Sequence, residues 1–231
     1  EMSGVAVRVS VDAVGEKHDE IRGVPGCFDR AMETVSRLKG QGVADLGLAA
    51  TSSGRNPGEL ERVRMLAQEM GVSFIASAAH SSPIFFGEHD ADRPRTDEAA
   101  SEIASIMRAE LASRDPRDWA KAYYMRGLVD YVRGRPRRLP CRAGTDHFYL
   151  DPVGDVYPCN ISSLSMGNIR EGSFEELRRK SESVVSPAVR DCKEQCWMVC
   201  TVTPPMRRRP LRPLAWILGA KLMGLDTDAD G

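Results

Sequence analysis

The sequence predicts an α/β fold of parallel strands and helices, followed by a small cysteine-rich α+β module. Three observations carry this. Strand-like and helix-like segments alternate through the front of the chain, which argues for a parallel sheet covered by helices. The pattern changes after "RGRPRRLP" (133–140), a basic, proline-broken linker. Five of the six cysteines then fall between positions 141 and 200.

In order, "VAVRVSVD" (5–12) alternates apolar and polar residues as a strand does. "GCFDRAMETVSRLKGQG" follows, with Phe28, Met32, Val35 and Leu38 on one helical face. "VADLGLAA" (43–50) is the next strand, and "NPGELERVRMLAQEMG" brings Leu60, Val63, Leu66, Ala67 and Met70 to helical spacing. A third strand is read at "VSFIASA" (72–78). Residues 87–98 lack an apolar anchor and read as a loop or boundary. Ile103, Ile106, Met107 and Leu111 form the stripe of one helix, and a second, roughly 116–133, carries Trp119, Tyr123, Val129 and Val132. Past the linker, "DHFYLDPVGDVYPC" reads as a hairpin turning at Pro152-Val153-Gly154. Ser173 with Glu176 three residues on has the spacing of a capping box. The expected units are therefore 1–138, 139–203 and a basic, apolar tail helix at 204–231.

Basic and acidic residues number 32 and 33, for a net charge of −1. That balance gives no global reason to expect nucleic acid, since phosphate binding needs a basic surface. No run of about 20 apolar residues spans a bilayer, and the start does not resemble a signal peptide. A cytoplasmic, reducing compartment is expected, where clustered cysteines are thiols or metal ligands rather than disulfides. Strand-like alternation begins almost at the first residue, without an initiator methionine, so the chain is expected to be the back part of a longer protein.

Cys141, Cys159, Cys192, Cys196 and Cys200 are soft donors that a hairpin and a helix can bring together. Four thiolates around one centre suit an iron–sulfur cluster or a structural zinc. Zinc knuckles commonly place two residues between paired cysteines, whereas the close pairs here have three. Cys27, alone at a helix start, reads as a buried small side chain.

Cys141, twelve residues, Gly154, four residues and Cys159, then "MGNIREGSFEELR" and "CKEQCWMVC", resemble the SPASM or twitch extension of radical S-adenosylmethionine (SAM) enzymes. "VRVSVDAVGEKHDEIRGVPGCFDRAMETVSRLKGQGV" resembles the fourth strand and following helix of that family's partial (β/α) barrel. The resemblance implies an auxiliary [4Fe-4S] cluster held by Cys141, Cys159 and Cys200, with a fourth ligand from Cys192 or Cys196. It also implies a parent enzyme in which a second [4Fe-4S] cluster cleaves SAM to a 5′-deoxyadenosyl radical. A peptide, a protein side chain or a small molecule would be the substrate, and a flavodoxin or ferredoxin the reductant. The family's C-x3-C-x2-C motif for the SAM cluster is absent from this sequence, so this chain by itself is expected neither to bind that cluster nor to cleave SAM.

By the same resemblance Ser10 and Asp12 end a barrel strand where SAM is bound, the alternative being an ordinary strand end. Arg22 is either a two-pronged partner of the SAM carboxylate or one half of a surface salt bridge. Asn56 is a helix cap or a substrate-side contact. The four histidines, His18, His80, His89 and His147, have no metal-ligand spacing and read as structural or surface residues, His80 being the one placed to face a substrate. The tail "PPMRRRPLRPLAWILGAKLMGL" docks on the core, lies on a membrane surface or binds an acidic peptide. Two further readings stand beside the enzyme: a zinc-stabilised binding module, and a cluster-bearing accessory protein serving a separate catalytic subunit.

Overall fold

The computed structural model describes residues 5–80, 94 and 96–223. Three parallel strands, β1 (Ala6–Ser10), β2 (Asp45–Ser52) and β3 (Ser73–Ala78), lie side by side in sequence order. Helices α1 (Glu16–Arg22) and α2 (Cys27–Gly40) connect the first pair, and α3 (Glu59–Glu69) connects the second. The apolar stripe of α2 faces the sheet, with Val35 fully buried and Phe28, Met32 and Leu38 packed around it. Helix α3 does the same through Leu60, Val63 and Ala67. The loop expected at 87–98 falls almost wholly outside the described residues. Helix α1 was not legible, because "EKHDEIR" carries one aliphatic residue and no stripe.

Helices α4 (Asp97–Ala112) and α5 (Pro116–Val132) pack on each other, and α5 packs on β3. Both start on side-chain caps. Thr96 accepts from the Ala99 amide and Asp115 from the Arg117 amide, with Pro116 in the first turn of α5. Helix α5 is buried around its whole circumference from Ala122 to Asp130. Strand β3, helix α4, the C-terminal helix and Trp197 each take one side of it.

The second unit is a small antiparallel sheet, β4 (Tyr149–Leu150), β5 (Asp155–Tyr157) and β6 (Gly167–Asn168), packed on α6 (Phe174–Arg190). The expected hairpin is present. The Asp151 carboxylate accepts from the amides of Val153 and Asp155, and Gly154 takes a φ of 96°. The capping box forms as read, the Ser173 hydroxyl accepting from the Glu176 amide while the Glu176 carboxylate accepts from the Ser173 amide. Strand β6 is a two-residue addition that the sequence pattern did not reveal.

The expected tail helix is two helices, α7 (Val199–Arg208) and α8 (Leu211–Met223), so the boundary at 203/204 falls inside α7. Helix α8 docks on the core through Ile217 and Ala220, and the Trp216 ring meets Tyr123 edge-on at 5.8 Å. The Lys221 ammonium donates to the Leu111 carbonyl and sits 4.1 Å from the centre of the Trp119 ring. The opposite face exposes Leu211, Leu214, Leu218 and Leu222. Among the described residues no helix is long and apolar enough to cross a membrane.

Candidate metal centre

Two anchors fix the cysteine loop, residues 192–200, onto the first unit. The Trp197 side chain, 1% exposed, lies against α5 and donates its indole N–H to the Tyr124 carbonyl at 2.8 Å. It fits because residue 127 is glycine: a Cβ there would come within 2.0 Å of the indole ring. A mid-helix glycine costs helix propensity, and close approach of another element explains its presence. The second anchor is Arg137, from the segment read as a linker. Its guanidinium donates to the carbonyls of Leu139, Cys196 and Thr201 and to the Thr201 hydroxyl, and it lies 5.4 Å from the Trp197 ring centre. Its neighbour Arg138 pairs instead with the buried carboxylate of Asp130.

The chain reverses at Gln195, whose φ of 49° is a conformation unusual for a residue with a side chain. The Gln195 side-chain carbonyl accepts from the Arg137 amide at 2.8 Å, and the turn brings Cys192 and Cys196 to one side. With Cys141 they line a cavity of about 200 Å³. Arg137 and Arg190 also line it, and no carboxylate does. Cys159 packs against the buried group of Ile161, Cys196 and Met198, within electrostatic reach of Cys141 and Cys192. Burial pushes the Cys196 thiol up to about 12, opposed by the Arg137 cation, and burial also raises Cys159 and Cys200. These thiols are held as neutral groups until something cationic takes their protons' place.

Among the described residues no three His, Cys, Asp or Glu side chains converge as the ligands of a single ion. The donor set fits an iron–sulfur cluster: soft sulfurs around one cavity, with cations and no competing carboxylate on its wall. Cys200 does not line this cavity, although it lies within electrostatic reach of Cys141. At the start of α7 it lines a second one, about 660 Å³, with Thr51, Ser77, Ala78, Ala79, His80, Met198 and Val199. This cavity lies at the carboxyl ends of β2 and β3, where parallel sheets bind their ligands. His80 stacks on Tyr131 at 5.0 Å there.

At the end of β1, Asp12 and Arg22 form an ion pair at 2.6 Å, and the Asp12 carboxylate also accepts from the Thr51 amide. Ser10 is exposed at the strand's last position. The N-cap of α3 is Gly58, so the expected cap role of Asn56 does not hold. Asn56 is a buried latch between strand ends. Its side-chain N–H groups donate to the carbonyls of Asp12 and Thr51, and its side-chain oxygen accepts from the Ser53 amide. His18 is buried, its Nδ1 accepting from the Asp12 amide and its Nε2 lying 3.6 Å from Cys27 Sγ. Burial lowers the His18 pKa, so the ring is held neutral. Sequence reasoning did not single out Trp197, Gly127 or Arg137. The glycine inside a strong helical pattern was the one available signal.

Residues 141–201 match the SPASM family, an iron-sulfur cluster-binding domain. The AdoMet-dependent heme synthase of Methanosarcina barkeri is 29% identical over 186 residues, covering 75% of this chain and 53% of the relative. The mycofactocin maturase MftC of Mycolicibacterium smegmatis is 26% identical, covering 77% and 45%. The sporulation killing factor maturation protein SkfB of Bacillus subtilis is 23% identical, covering 76% and 41%. The solved structure of native anSMEcpe with bound AdoMet and Cp18Cys peptide shares the fold, with a TM-score of 0.51 at 14% identity, over 92% of this chain and 69% of that one. The chain is similar to radical SAM/SPASM proteins, and the SPASM match lies in residues 141–201. It spans about half the length of the curated relatives it matches.

Proposed function

We propose that this chain is the barrel-end and auxiliary-cluster portion of a radical SAM enzyme that modifies a peptide or protein side chain. Units 1–138 and 139–203 are the barrel portion and the cluster module, followed by a tail, 204–231, whose helix α8 docks on the first. One observation carries the reading: Trp197 pins a five-thiol module across the carboxyl ends of parallel strands, so that a cavity at the strand ends has Cys200 in its wall. Four of Cys141, Cys159, Cys192, Cys196 and Cys200 hold one [4Fe-4S] cluster. The common cavity and the packing favour Cys141, Cys159, Cys192 and Cys196, with Cys200 competing for the fourth place from the substrate side. When bound, such a cluster supplies one-electron transfer or a point of attachment for substrate.

The chain's own residues position and shield. Met198, Val199 and Ala78 give the larger cavity an apolar wall, and His80 offers a ring to a substrate group. Ser10 and the Asp12–Arg22 pair face SAM: Asp12 engages one nitrogen of Arg22, leaving the remaining guanidinium donors for a carboxylate. A flavodoxin or ferredoxin is the reductant and the cytoplasm the compartment, in keeping with free thiols. Relatives named as maturases of a killing factor and of mycofactocin support a peptide substrate. The 29% identity to a heme synthase favours a second reading, a tetrapyrrole-sized small molecule.

The test is anaerobic reconstitution of residues 1–231 with iron and sulfide, measuring iron, sulfide, zinc and the visible spectrum. About four irons and four sulfides per chain, lost in Cys141→Ala, is the expected result. Zinc alone, or no metal, refutes the cluster and leaves a zinc-stabilised or thiol-packed module.

A further inference from the structure

We infer that Arg137 is a positioning residue of the auxiliary cluster whose fixed charge raises the cluster's reduction potential. The inference rests on the cluster reading above and concerns a residue outside the cysteine pattern.

Arg137 lines the same cavity as Cys141, Cys192 and Cys196. Its guanidinium cannot swing to solvent without giving up four hydrogen bonds and its place over the Trp197 ring. Three of those bonds end on Cys196 and Thr201, which flank Cys200 in the chain, so the group holds the loop closed on both sides of that thiol. Among the described residues no Asp or Glu pairs with Arg137, whereas the adjacent Arg138 is neutralised by Asp130. The charge of Arg137 therefore stands, without a carboxylate partner among the described residues, in the wall of the cavity that Cys141, Cys192 and Cys196 line.

A cluster held by four thiolates carries net negative charge, and each added electron makes it more negative. A cation fixed beside it, partly shielded from water, favours the reduced state. Hydrogen bonds to the loop carbonyls orient the ligands, as outer partners do at other metal sites.

The experiment compares wild-type chain with Arg137→Gln and Arg137→Lys after reconstitution, by iron content and by a potentiometric titration followed by electron paramagnetic resonance. Arg137→Gln is expected to load iron but to show about a tenfold lower reduced-to-oxidised ratio at fixed potential, a shift of about 59 mV for a one-electron couple. Arg137→Lys is expected to keep a near wild-type potential while losing iron faster to a chelator, because an ammonium keeps the charge without the planar fork. A loaded Arg137→Gln with unchanged potential overturns the inference. Should Arg137→Gln fail to load, Arg137→Lys decides: loading at the wild-type potential supports the charge role, and failure to load, or a tenfold lower ratio, overturns it. A wild-type chain without a cluster refutes the underlying reading instead.

Discussion

Around β1–β3 the buried apolar side chains run continuously from Val11 through Leu48, Ile106 and Leu128 to Ile217. Around β4–β6 the buried set is Val156, Met166, Leu177 and Val185, with Ile161, Cys196 and Met198 as a separate patch beside the thiols. The first unit has a core that can hold it folded by burial alone. The second has too little apolar area for that, and small units of this kind need a staple. Its staples are the Trp197 anchor, the Arg137 bonds and the cluster proposed above. Packing specifies one unit; tethering and ligation specify the other.

The strongest way to break this contrast is at the tether. Trp197→Ala should cost about 3–5 kcal/mol, the range for deleting a large buried aromatic. Denaturant unfolding would measure it, and iron retention should fall with it. Gly127→Ala attacks the same contact from α5, since its new Cβ lies 2.0 Å from the indole. Next is the Arg138–Asp130 ion pair under the linker. Asp130→Ala leaves a partly exposed guanidinium without its partner and should cost about 2–3 kcal/mol, less than for a fully buried pair. Ser173→Ala removes the α6 cap and should cost about 1 kcal/mol, confined to the second unit.

The smallest effect belongs to the first unit. Burial raises the Glu110 carboxyl from 4.5 to about 7, with Lys121 opposing. A folded-state pKa above the unfolded one stabilises fully below 4.5, and that contribution is lost as pH rises through about 7. Glu110→Gln should therefore flatten the fall in Tm across that window. A Tm-against-pH profile as steep as wild type would show that Glu110 does not titrate there.

The same contrast explains what could be read from sequence. The helical stripes of α2 to α5 and the three parallel strands were legible, because burial of one face writes a period into the sequence. The thiols were legible as a group because cysteines cluster. The parts that set their geometry were not. Arg137 and Arg138 look like solvated linker charges until the structure shows the carbonyls and carboxylate they meet. Asn56 looks like a cap beside a proline, yet its role depends on strand ends that are distant in sequence. Cys200 stands with Cys192 and Cys196 in the sequence, but the turn at Gln195 and the start of α7 direct it to another cavity.

The most direct measurement is amide hydrogen exchange on residues 1–231, anaerobically, with the cluster loaded and after its removal by a chelator. The account predicts that protection collapses within 141–201 while β1–β3 and α2–α5 keep theirs. Equal loss across both units, or no change in 141–201, would contradict it.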